Sequence, residues 1–267
     1  MKPLNLLVYL LFWQGLTGQL IMPKNASETA LGVGNSLGKS FLSGFHNPAR
    51  IELDSAKFRV GVGYANYYFI PNLNQIAIAG QFRIGKGGLA LGYSNLGWGN
   101  VNIHQVNLAY GLQLAKGFRM GVAVHYSFTQ ISSEAHQQGI FPTLGFSYRY
   151  KDHFSIAVHV ENPIAIRWIE SSEKMPIRFD LGIEAYFGKS FLTRLALVKT
   201  LNSALQFSLG FEYGINKKIF PRIAFSILPL GISGGLGWRM KQFQLSLGFW
   251  YVHALGPISQ FDLSYEK

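Results

Sequence analysis

Hydrophobic and polar residues alternate strictly along much of this chain. Residues 242–251 show the pattern most clearly, because every second side chain is apolar, namely Phe243, Leu245, Leu247, Phe249 and Tyr251. A period of two predicts a β-strand with one apolar face. We expect the first four of these side chains to face lipid or a membrane partner, and Gln244 and Ser246 to face the opposite way.

The same pattern recurs about fourteen times after residue 56. The predicted strands span residues 57–65, 75–84, 87–96, 104–115, 117–129, 142–150, 153–161, 176–187, 190–198, 204–213, 219–228, 231–240, 242–252 and 258–265. Most are close to the 9–11 residues that a tilted strand needs to cross a bilayer. The stretch 190–198 alternates least well, because Leu192 and Leu195 fall on opposite faces.

Composition favours a membrane barrel over a soluble enzyme. Only 14% of the 267 residues are charged, against about 25% in ordinary soluble domains. No apolar run after the first twenty residues has the 18 or so residues of a membrane helix, so a chain of this kind spans a membrane only as a closed barrel. The absence of cysteine excludes disulfides and thiolate metal sites. A soluble β-sandwich is the alternative architecture.

Three regions are predicted along the chain. Residues 1–18 have a basic start at Lys2, an apolar run and small residues before Gln19, which is typical of a signal peptide; a short buried helix is the alternative. Residues 19–56 lack alternation, are rich in Gly, Ser and Ala, and end near the turn Asn47-Pro48-Ala49. This segment suits a plug inside a wide barrel, and residues 57–267 would form that barrel.

Charged side chains on the polar faces of the strands are mostly Arg rather than Lys. In a soluble sandwich these faces would meet bulk water and carry many Lys and Glu residues. Arg mixed with Gly, Ser and Gln instead indicates a crowded polar lumen in which guanidinium groups pair with carboxylates. The predicted lumen-facing charged residues are Arg59, Arg119, Arg178, Asp180, Glu184, Glu212, Arg239 and Asp262.

Lysine marks every second connection between the predicted strands. If both termini lie in the periplasm, these short connections are the periplasmic turns, and the longer ones, including 130–141 and 162–175, face outward. Part of the net charge of +11 would then form a ring that meets an acidic partner or anionic headgroups; a simple solvated rim is the alternative. The lysines are Lys86, Lys116, Lys151, Lys189, Lys217, Lys218 and Lys241.

The sequence contains no recognisable catalytic, metal-binding or cofactor motif. His125 and His159 fall on polar faces, where membership of a hydrogen-bond network is a simpler role for them than catalysis. Scattered Arg residues and the signal peptide argue against a nucleic-acid partner. The outer loop 162–175 is unusually apolar, with Ile164, Ile166, Trp168 and Ile169, and either caps the barrel or contacts a partner.

The mature chain resembles the FadL-type outer-membrane barrels, and within them the PorV/PorQ group of Bacteroidota. The resemblance rests on Ala30-Leu31-Gly32-Val33-Gly34 before Asn47-Pro48-Ala49, on the strand pair 108–122, and on the closing run 255–265. It implies a fourteen-stranded barrel with an N-terminal plug. PorV-like members serve type IX secretion, whereas the fatty-acid transporters of this family bind acyl chains in the lumen. The predicted outer loops of this chain are shorter than those of the fatty-acid transporters, which favours a role in type IX secretion.

Two functions follow as hypotheses. The leading one is a non-enzymatic subunit of a secretion or assembly complex in the bacterial outer membrane, in contact with membrane lipid and a larger protein complex, and without a cofactor. The alternative is a conduit for fatty acids or other hydrophobic small molecules. That hypothesis predicts an apolar cavity holding lipid or detergent, and a lumen filled with Arg–carboxylate pairs counts against it. An enzyme would need a Ser or Asp beside His125 or His159 at an open mouth.

Overall fold

The chain folds into a closed antiparallel sheet. The computed structural model describes residues 22–53, 56–98, 101–131, 135–151, 153–169, 171–188 and 190–267. Within these ranges the strands are β1 (Phe58–Tyr67), β2 (Asn74–Ile84), β3 (Gly87–Trp98), β4 (Val101–Ala115), β5 (Phe118–Ile131), β6 (Ala135–Tyr150), β7 (Phe154–Glu161), β8 (Arg178–Phe187), β9 (Phe191–Thr200), β10 (Gln206–Tyr213), β11 (Ile219–Ile227), β12 (Gly231–Met240), β13 (Phe243–Val252) and β14 (Gly256–Glu266). The predicted all-β antiparallel barrel of about fourteen strands is confirmed.

The first and last strands close the barrel. Each strand pairs with its neighbours along the chain, and β14 pairs with β1, with Val62 opposite Leu263. At the end of this pair, Phe58 and Lys267 exchange two backbone hydrogen bonds of 3.0 Å. Closure leaves no free sheet edge that needs other partners for its backbone groups. We call the end that carries residues 57 and 267 the terminal rim, and the opposite end the distal rim.

Alternation separates the two faces of the barrel wall. On β13, Phe243, Leu247 and Phe249 point outward and are exposed, and Leu245 on the same face is half-buried. Ser246 and Gly248 point inward and are buried. Other strands repeat this arrangement, so a belt of large apolar side chains surrounds the barrel. Such a belt is far larger than the apolar patches of water-soluble monomers and requires lipid around it. None of the helices in the described residues is long and apolar enough to cross a membrane.

The predicted long loop at 130–141 is wrong. Strand β5 continues to Ile131 and β6 already begins at Ala135, with Gln137 opposite Thr129. The polar sequence of this stretch suggested a loop, but backbone pairing does not need an apolar face. The β5–β6 hairpin therefore continues beyond the alternating stretch, and its connection, residues 132–134, lies outside the described residues.

The N-terminal segment, residues 22–53, lies inside the ring of strands. It contains helix α1 (Ala26–Ala30) and two single-turn 3-10 helices, Ser43–Phe45 and Pro48–Arg50. Nearly all of its residues are buried. Helix α1 contacts β11–β14, whereas the 3-10 helices contact β3–β6 on the opposite wall. The predicted division between a plug at 19–56 and a barrel at 57–267 stays a prediction, and the predicted signal peptide, residues 1–18, lies outside the described residues.

Helix α1 begins where the sequence supplies its caps. The Asn25 side chain accepts a hydrogen bond of 2.8 Å from the Ser27 amide, and the Glu28 carboxylate accepts one of 3.4 Å from the Asn25 amide. These bonds satisfy amides that the first turn leaves without helical partners. Ser27 then donates to Ser246 of β13 over 3.0 Å, which fixes the helix to the barrel wall.

We expect Leu247→Arg to lower the free energy of unfolding by about 2–4 kcal/mol, the usual cost of a cation on the lipid face near the middle of a bilayer. Leu247 is 46% exposed on the outer face at the centre of β13. Phe243→Arg is the matched control, because it lies on the same face near the terminal rim, where the cost falls to about 0–1 kcal/mol. Urea unfolding in lipid vesicles measures both values. Equal losses would contradict a membrane-spanning orientation of β13.

Candidate functional site

Glycines on the inner wall give the N-terminal segment its path. Gly111, Gly121 and Gly145 lie on β4, β5 and β6 beneath the turn at Asn47 and Pro48. A Cβ atom at Gly121 would lie 2.5 Å from the Pro48 carbonyl carbon, and one at Gly145 would lie 2.1 Å from Asn47 Oδ1. Any larger side chain would displace the backbone of the segment, so these positions require glycine.

The predicted motif Asn47-Pro48-Ala49 ties the segment to itself and to the wall. Asn47 Oδ1 accepts from the Ala49 amide over 3.1 Å, and its Nδ2 donates to the Ser36 carbonyl oxygen over 2.9 Å. The same Nδ2 lies 3.4 Å from carbonyl oxygens of Phe146 and Val158 on β6 and β7. One buried amide thus joins two parts of the segment to two strands.

Gly121→Val is expected to lower the free energy of unfolding by about 1–3 kcal/mol, the range typical of overpacking. The added methyl groups would collide with the Pro48 backbone rather than with a flexible side chain. Gly80→Val is the control, because Gly80 faces outward and a Cβ there meets only side-chain atoms of Phe82 and Val60, at 3.3 Å and beyond. Urea unfolding in vesicles should show the control within about 0.5 kcal/mol of wild type. A similar loss in both variants would remove the argument for close backbone contact.

Glu52 is the charge centre of the terminal half of the lumen. Its carboxylate lies 2.9 Å from Arg50 Nη1, 3.1 Å from Lys39 Nζ and 2.7 Å from Arg149 Nη2. Arg50 is fully buried and also donates to the Leu37 carbonyl oxygen over 3.2 Å. Arg149 belongs to β6, so Glu52 links two cations of the segment to the barrel wall. A buried carboxylate with three cationic partners holds this part of the segment firmly.

Five of the predicted lumen-facing charges form ion pairs across or along neighbouring strands. Glu184 accepts from Arg194 Nη2 over 2.5 Å, and Glu212 accepts from Arg222 Nε over 2.6 Å. These carboxylates are opposed to their Arg partners in the sheet register. The remaining pairs are Arg178 with Asp180 at 3.4 Å and Arg59 with Glu266 at 2.8 Å.

The other three predicted lumen charges have different environments. Arg119 donates to the carbonyl oxygens of Ala49 and Ile51 over 3.0 and 2.8 Å, so it holds the end of the segment. Asp262 is buried and accepts a hydrogen bond from the Ala26 amide of α1. Arg239 is exposed near the terminal rim, where its guanidinium lies 5.2 Å from the centre of the Phe220 ring.

The distal half of the lumen holds a buried apolar cluster between the segment and strands β2–β6. We define the distal cluster by its side chains, which are Met22, Phe41, Leu42, Phe45, Ala77, Ala79, Phe141, Trp168 and Met175. His125 borders it and stacks on Phe141, with ring centroids 4.8 Å apart. Neither nitrogen of His125 has a hydrogen-bond partner among the described residues, and the same holds for Trp168 Nε1. The cluster therefore combines aromatic side chains with buried polar atoms that have no hydrogen-bond partner among the described residues.

Part of the apolar loop 162–175 folds inward, which agrees with one of the two predicted alternatives. Trp168 and Met175 are buried in the distal cluster, whereas Ile164 and Ile169 remain 69% and 61% exposed. Asn162 organises the turn, because its Oδ1 accepts from the Ile166 amide over 2.9 Å and its Nδ2 donates to the Met175 carbonyl oxygen over 2.9 Å. The loop thus both caps the cluster and leaves an apolar edge at the distal rim.

The buried histidines contact groups other than catalytic hydroxyls. His159 Nε2 lies 3.2 Å from Glu161 Oε1. His46 of the segment lies 2.7 Å from the Pro23 carbonyl oxygen through Nε2 and 3.4 Å from the Asn35 amide through Nδ1. Burial lowers the pKa of His46 to about 3, so the ring is neutral and donates through Nε2. No group of three His, Asp or Glu side chains in the described ranges is arranged to hold a metal ion.

Lysines occupy connections at the terminal rim. Lys86, Lys116 and Lys151 lie between paired strands, with Lys217 and Lys218 in the β10–β11 connection and Lys241 in the β12–β13 connection. Lys189 lies outside the described residues. The periplasmic orientation of this rim and the role of the lysines as a binding ring stay predictions.

Several residues that hold the site together were not predicted from the sequence. Glu52 and Arg50 lie in the segment that lacks periodicity, and Arg194 lies in the strand whose alternation was poorest. The available signal was indirect: Gly, Ala and Ser fill many inward positions, which indicates that something packs against them. Phe41 and Phe45 are the side chains that use this space, above Gly61 and Gly92 respectively.

No model of a known family matches this chain, and no curated protein matches it. Solved structures share its fold. The toluene transporter TodX of Pseudomonas putida gives a TM-score of 0.68 at 11% identity, over 94% of this chain and 99% of that chain. The fold is that of the FadL-type barrels. A Pseudomonas aeruginosa FadL homologue gives 0.61 at 9% identity, over 93% and 99% of the two chains. A TodX mutant described as a monoaromatic hydrocarbon channel gives 0.69 at 12%, over 91% and 98%.

The FadL-type fold is therefore established, and the finer resemblance to the PorV/PorQ group stays a prediction. The similar solved structures are named as channels and transporters for hydrocarbons and as a FadL homologue. At 9–12% identity, the likeness concerns the course of the chain rather than the chemistry of the lumen.

Proposed function

We propose that this protein is an outer-membrane conduit for small hydrophobic molecules, closed in the present conformation by its N-terminal segment. The observation that carries the proposal is the distal cluster, a set of aromatic and aliphatic side chains that meet at the distal end of the lumen. Burial of these side chains stabilises the closed state, and the same apolar surface is what a hydrophobic solute needs when it leaves the outer leaflet. The FadL-type fold, shared with a toluene transporter, supports the same reading.

The segment acts as the gate in this proposal. Phe41 and Phe45 occupy the distal cluster themselves, and the Arg149–Glu52 ion pair joins the segment to the wall in the terminal half, so the lumen is closed rather than continuous. The two cavities described near the rims are small, about 250 and 150 Å³, and both have charged side chains in their walls. Passage of a solute therefore requires the segment to withdraw from the lumen.

An isosteric substitution in the distal cluster tests the proposal. Met175→Gln keeps the side-chain length but places an amide against Phe141 and Trp168, where it weakens apolar contact. Met240→Gln is the matched control, because the same exchange is made on the exposed outer face near the terminal rim. We expect the first variant to reduce uptake of radiolabelled toluene and long-chain fatty acid about tenfold, and the second to leave it unchanged.

Uptake should be measured in cells with an intact lipopolysaccharide leaflet, because hydrophobic solutes cross a simple phospholipid bilayer unaided. The host strain must lack its own fatty-acid channel. Uptake no faster than in cells carrying an empty vector, or equal uptake by both Met→Gln variants, would contradict the conduit.

A second candidate function is an accessory subunit of a secretion or assembly complex, as a PorV-like protein would be. The filled lumen and the exposed Ile164 and Ile169 at the distal rim favour it, because a barrel without an open channel acts through its outer surfaces. Purification in mild detergent distinguishes the two candidates. A stable partner that is lost in the Ile164→Asp/Ile169→Asp variant supports the subunit, whereas a barrel that always purifies alone contradicts it.

A further inference from the structure

A second, chemically different cavity lies at the distal rim, away from the distal cluster. It has a volume of about 150 Å³ and lies between the N-terminal segment and the ends of four strands. Glu161 ends β7, Arg178 begins β8, Thr200 ends β9 and Gln206 begins β10, and all four line it. Lys24 of the segment supplies a third charged group. We call this cavity the distal cleft.

The two charged residues of the wall face each other but do not pair. Glu161 and Arg178 are directly opposed in the β7–β8 register. Glu161 Oε1 instead contacts His159 at 3.2 Å, and Arg178 Nη2 donates to Asp180 over 3.4 Å. Glu161 is fully buried, yet its Oε2 has no hydrogen-bond partner among the described residues, and neither has Arg178 Nε. Two residues that line the cleft therefore each hold a buried atom without a hydrogen-bond partner, an acceptor on Glu161 and a donor of opposite charge on Arg178.

Lys24 adds donors on the opposite side of the cleft. Its ammonium donates to the Val33 carbonyl oxygen over 3.0 Å and lies 5.3 Å from the centre of the Trp250 ring. An ammonium group has three N–H donors, so this bond leaves others for a ligand. Asp180, by contrast, is already satisfied by the Asn35 amide and the Ser36 hydroxyl, each at 2.8 Å.

The balance of charge selects the ligand. Lys24 and Arg178 are cations of the lining and Glu161 is its anion, so a ligand with a charge of only one sign would leave groups of that same sign at the cleft without a partner, which is costly in a buried site. A zwitterion pairs with both kinds of group and preserves the balance. The volume is well below the roughly 300–1,000 Å³ of sites for drug-sized molecules. Val33, Pro176 and Val198 also line the cleft and offer a small apolar surface.

We propose that the distal cleft binds a small α-amino acid, with its ammonium group at Glu161 and its carboxylate at Arg178 and Lys24. This site is separate from the conduit, since a hydrocarbon offers nothing to either charge. It gives the barrel a second ligand class, whose binding bridges the N-terminal segment to strands β7–β8.

A ligand series on the wild-type protein in lipid nanodiscs tests this proposal by calorimetry. L-Alanine carries both charges, propionate only the carboxylate, and ethylamine only the ammonium group. We expect saturable binding of alanine and at least tenfold weaker binding of the other two. Absence of saturable alanine binding, or equal binding of propionate or ethylamine, would overturn the proposal.

Glu161→Gln tests the assignment of the ammonium partner. The variant should bind alanine at least tenfold more weakly, while propionate binding stays equal or improves because an anion has been removed. Glu161 is buried, so circular dichroism and the heat-dependent mobility of the folded barrel on a gel must first match those of wild type. A folded variant with unchanged alanine affinity would contradict the site, and the wild-type series decides the question if the variant does not fold.

Discussion

Glu52→Gln should loosen the end of the N-terminal segment from the barrel wall. The Glu52 carboxylate is 6% exposed and forms ion pairs with Arg50, Lys39 and Arg149. A glutamine amide of the same size carries no charge, so all three cations lose their anionic partner. Removal of one partner from a buried ion pair typically costs about 3–5 kcal/mol. Most of that cost arises at the fully buried Arg50, because Lys39 and Arg149 reach solvent, which screens them.

Trypsin sensitivity of the folded barrel measures this release. Wild-type protein should resist cleavage after Lys39 and Arg50, and Glu52→Gln should be cut there at least tenfold faster while the barrel stays intact. Glu266→Gln is the control, because Glu266 pairs with Arg59 but is 40% exposed, so its loss should cost less than about 1 kcal/mol. Equal cleavage of both variants would show that Glu52 is not the anchor of the segment.

Arg194→Met is expected to lower the free energy of unfolding by about 3–5 kcal/mol, since it leaves the Glu184 carboxylate buried without its cation. Arg194 contacts Glu184 through both Nε, at 3.0 Å, and Nη2, and Tyr186 donates to the other carboxylate oxygen over 2.8 Å. The double variant Arg194→Met/Glu184→Gln removes both charges and should recover most of the loss. Urea unfolding of the two single variants and the double variant in vesicles gives their free energies of unfolding, which together form a double-mutant cycle. Additive losses would mean that the two residues do not stabilise each other.

The barrel was predictable because its signal is local and repeated. A period of two needs only one strand to be recognised, and membrane strands have a narrow range of lengths, so predicted ends such as 231–240 and 219–228 agree with β12 and β11 to within one residue. The predicted length of the β5–β6 connection was wrong because a polar stretch does not show where backbone pairing between two strands stops. Beyond the apolar belt neither face of a strand needs apolar side chains, so the alternation on which the prediction depended disappears there.

The contents of the lumen were predictable only in kind. The inward Arg and carboxylate residues were visible, but which pair forms depends on the register of neighbouring strands, as for Glu184 opposite Arg194. The N-terminal segment has no period, so the position of Glu52 or Phe45 has no sequence signal of its own. What the sequence does record is the complement of the segment, namely glycine wherever its backbone touches the wall, as at Gly121.

The closed state also explains why one chain supports two functional hypotheses. A lumen lined with ion pairs is what a purely structural barrel would contain, whereas an aromatic cluster beneath a folded loop is suited to a hydrophobic solute. The two observations are compatible if the segment moves. Complete withdrawal of the segment requires α1 to separate from β11–β14, so the mobility of α1 is the point on which the conduit depends.

A disulfide between α1 and β13 tests that point most directly. The chain has no cysteine, and the Ser27 and Ser246 hydroxyl oxygens are 3.0 Å apart, so Ser27→Cys/Ser246→Cys forms the bond with little movement. Toluene and fatty-acid uptake should fall to the empty-vector level when this variant is oxidised, and return on reduction, while each single variant stays at the wild-type rate. Equal uptake by the oxidised and reduced double variant would contradict a conduit gated by the N-terminal segment.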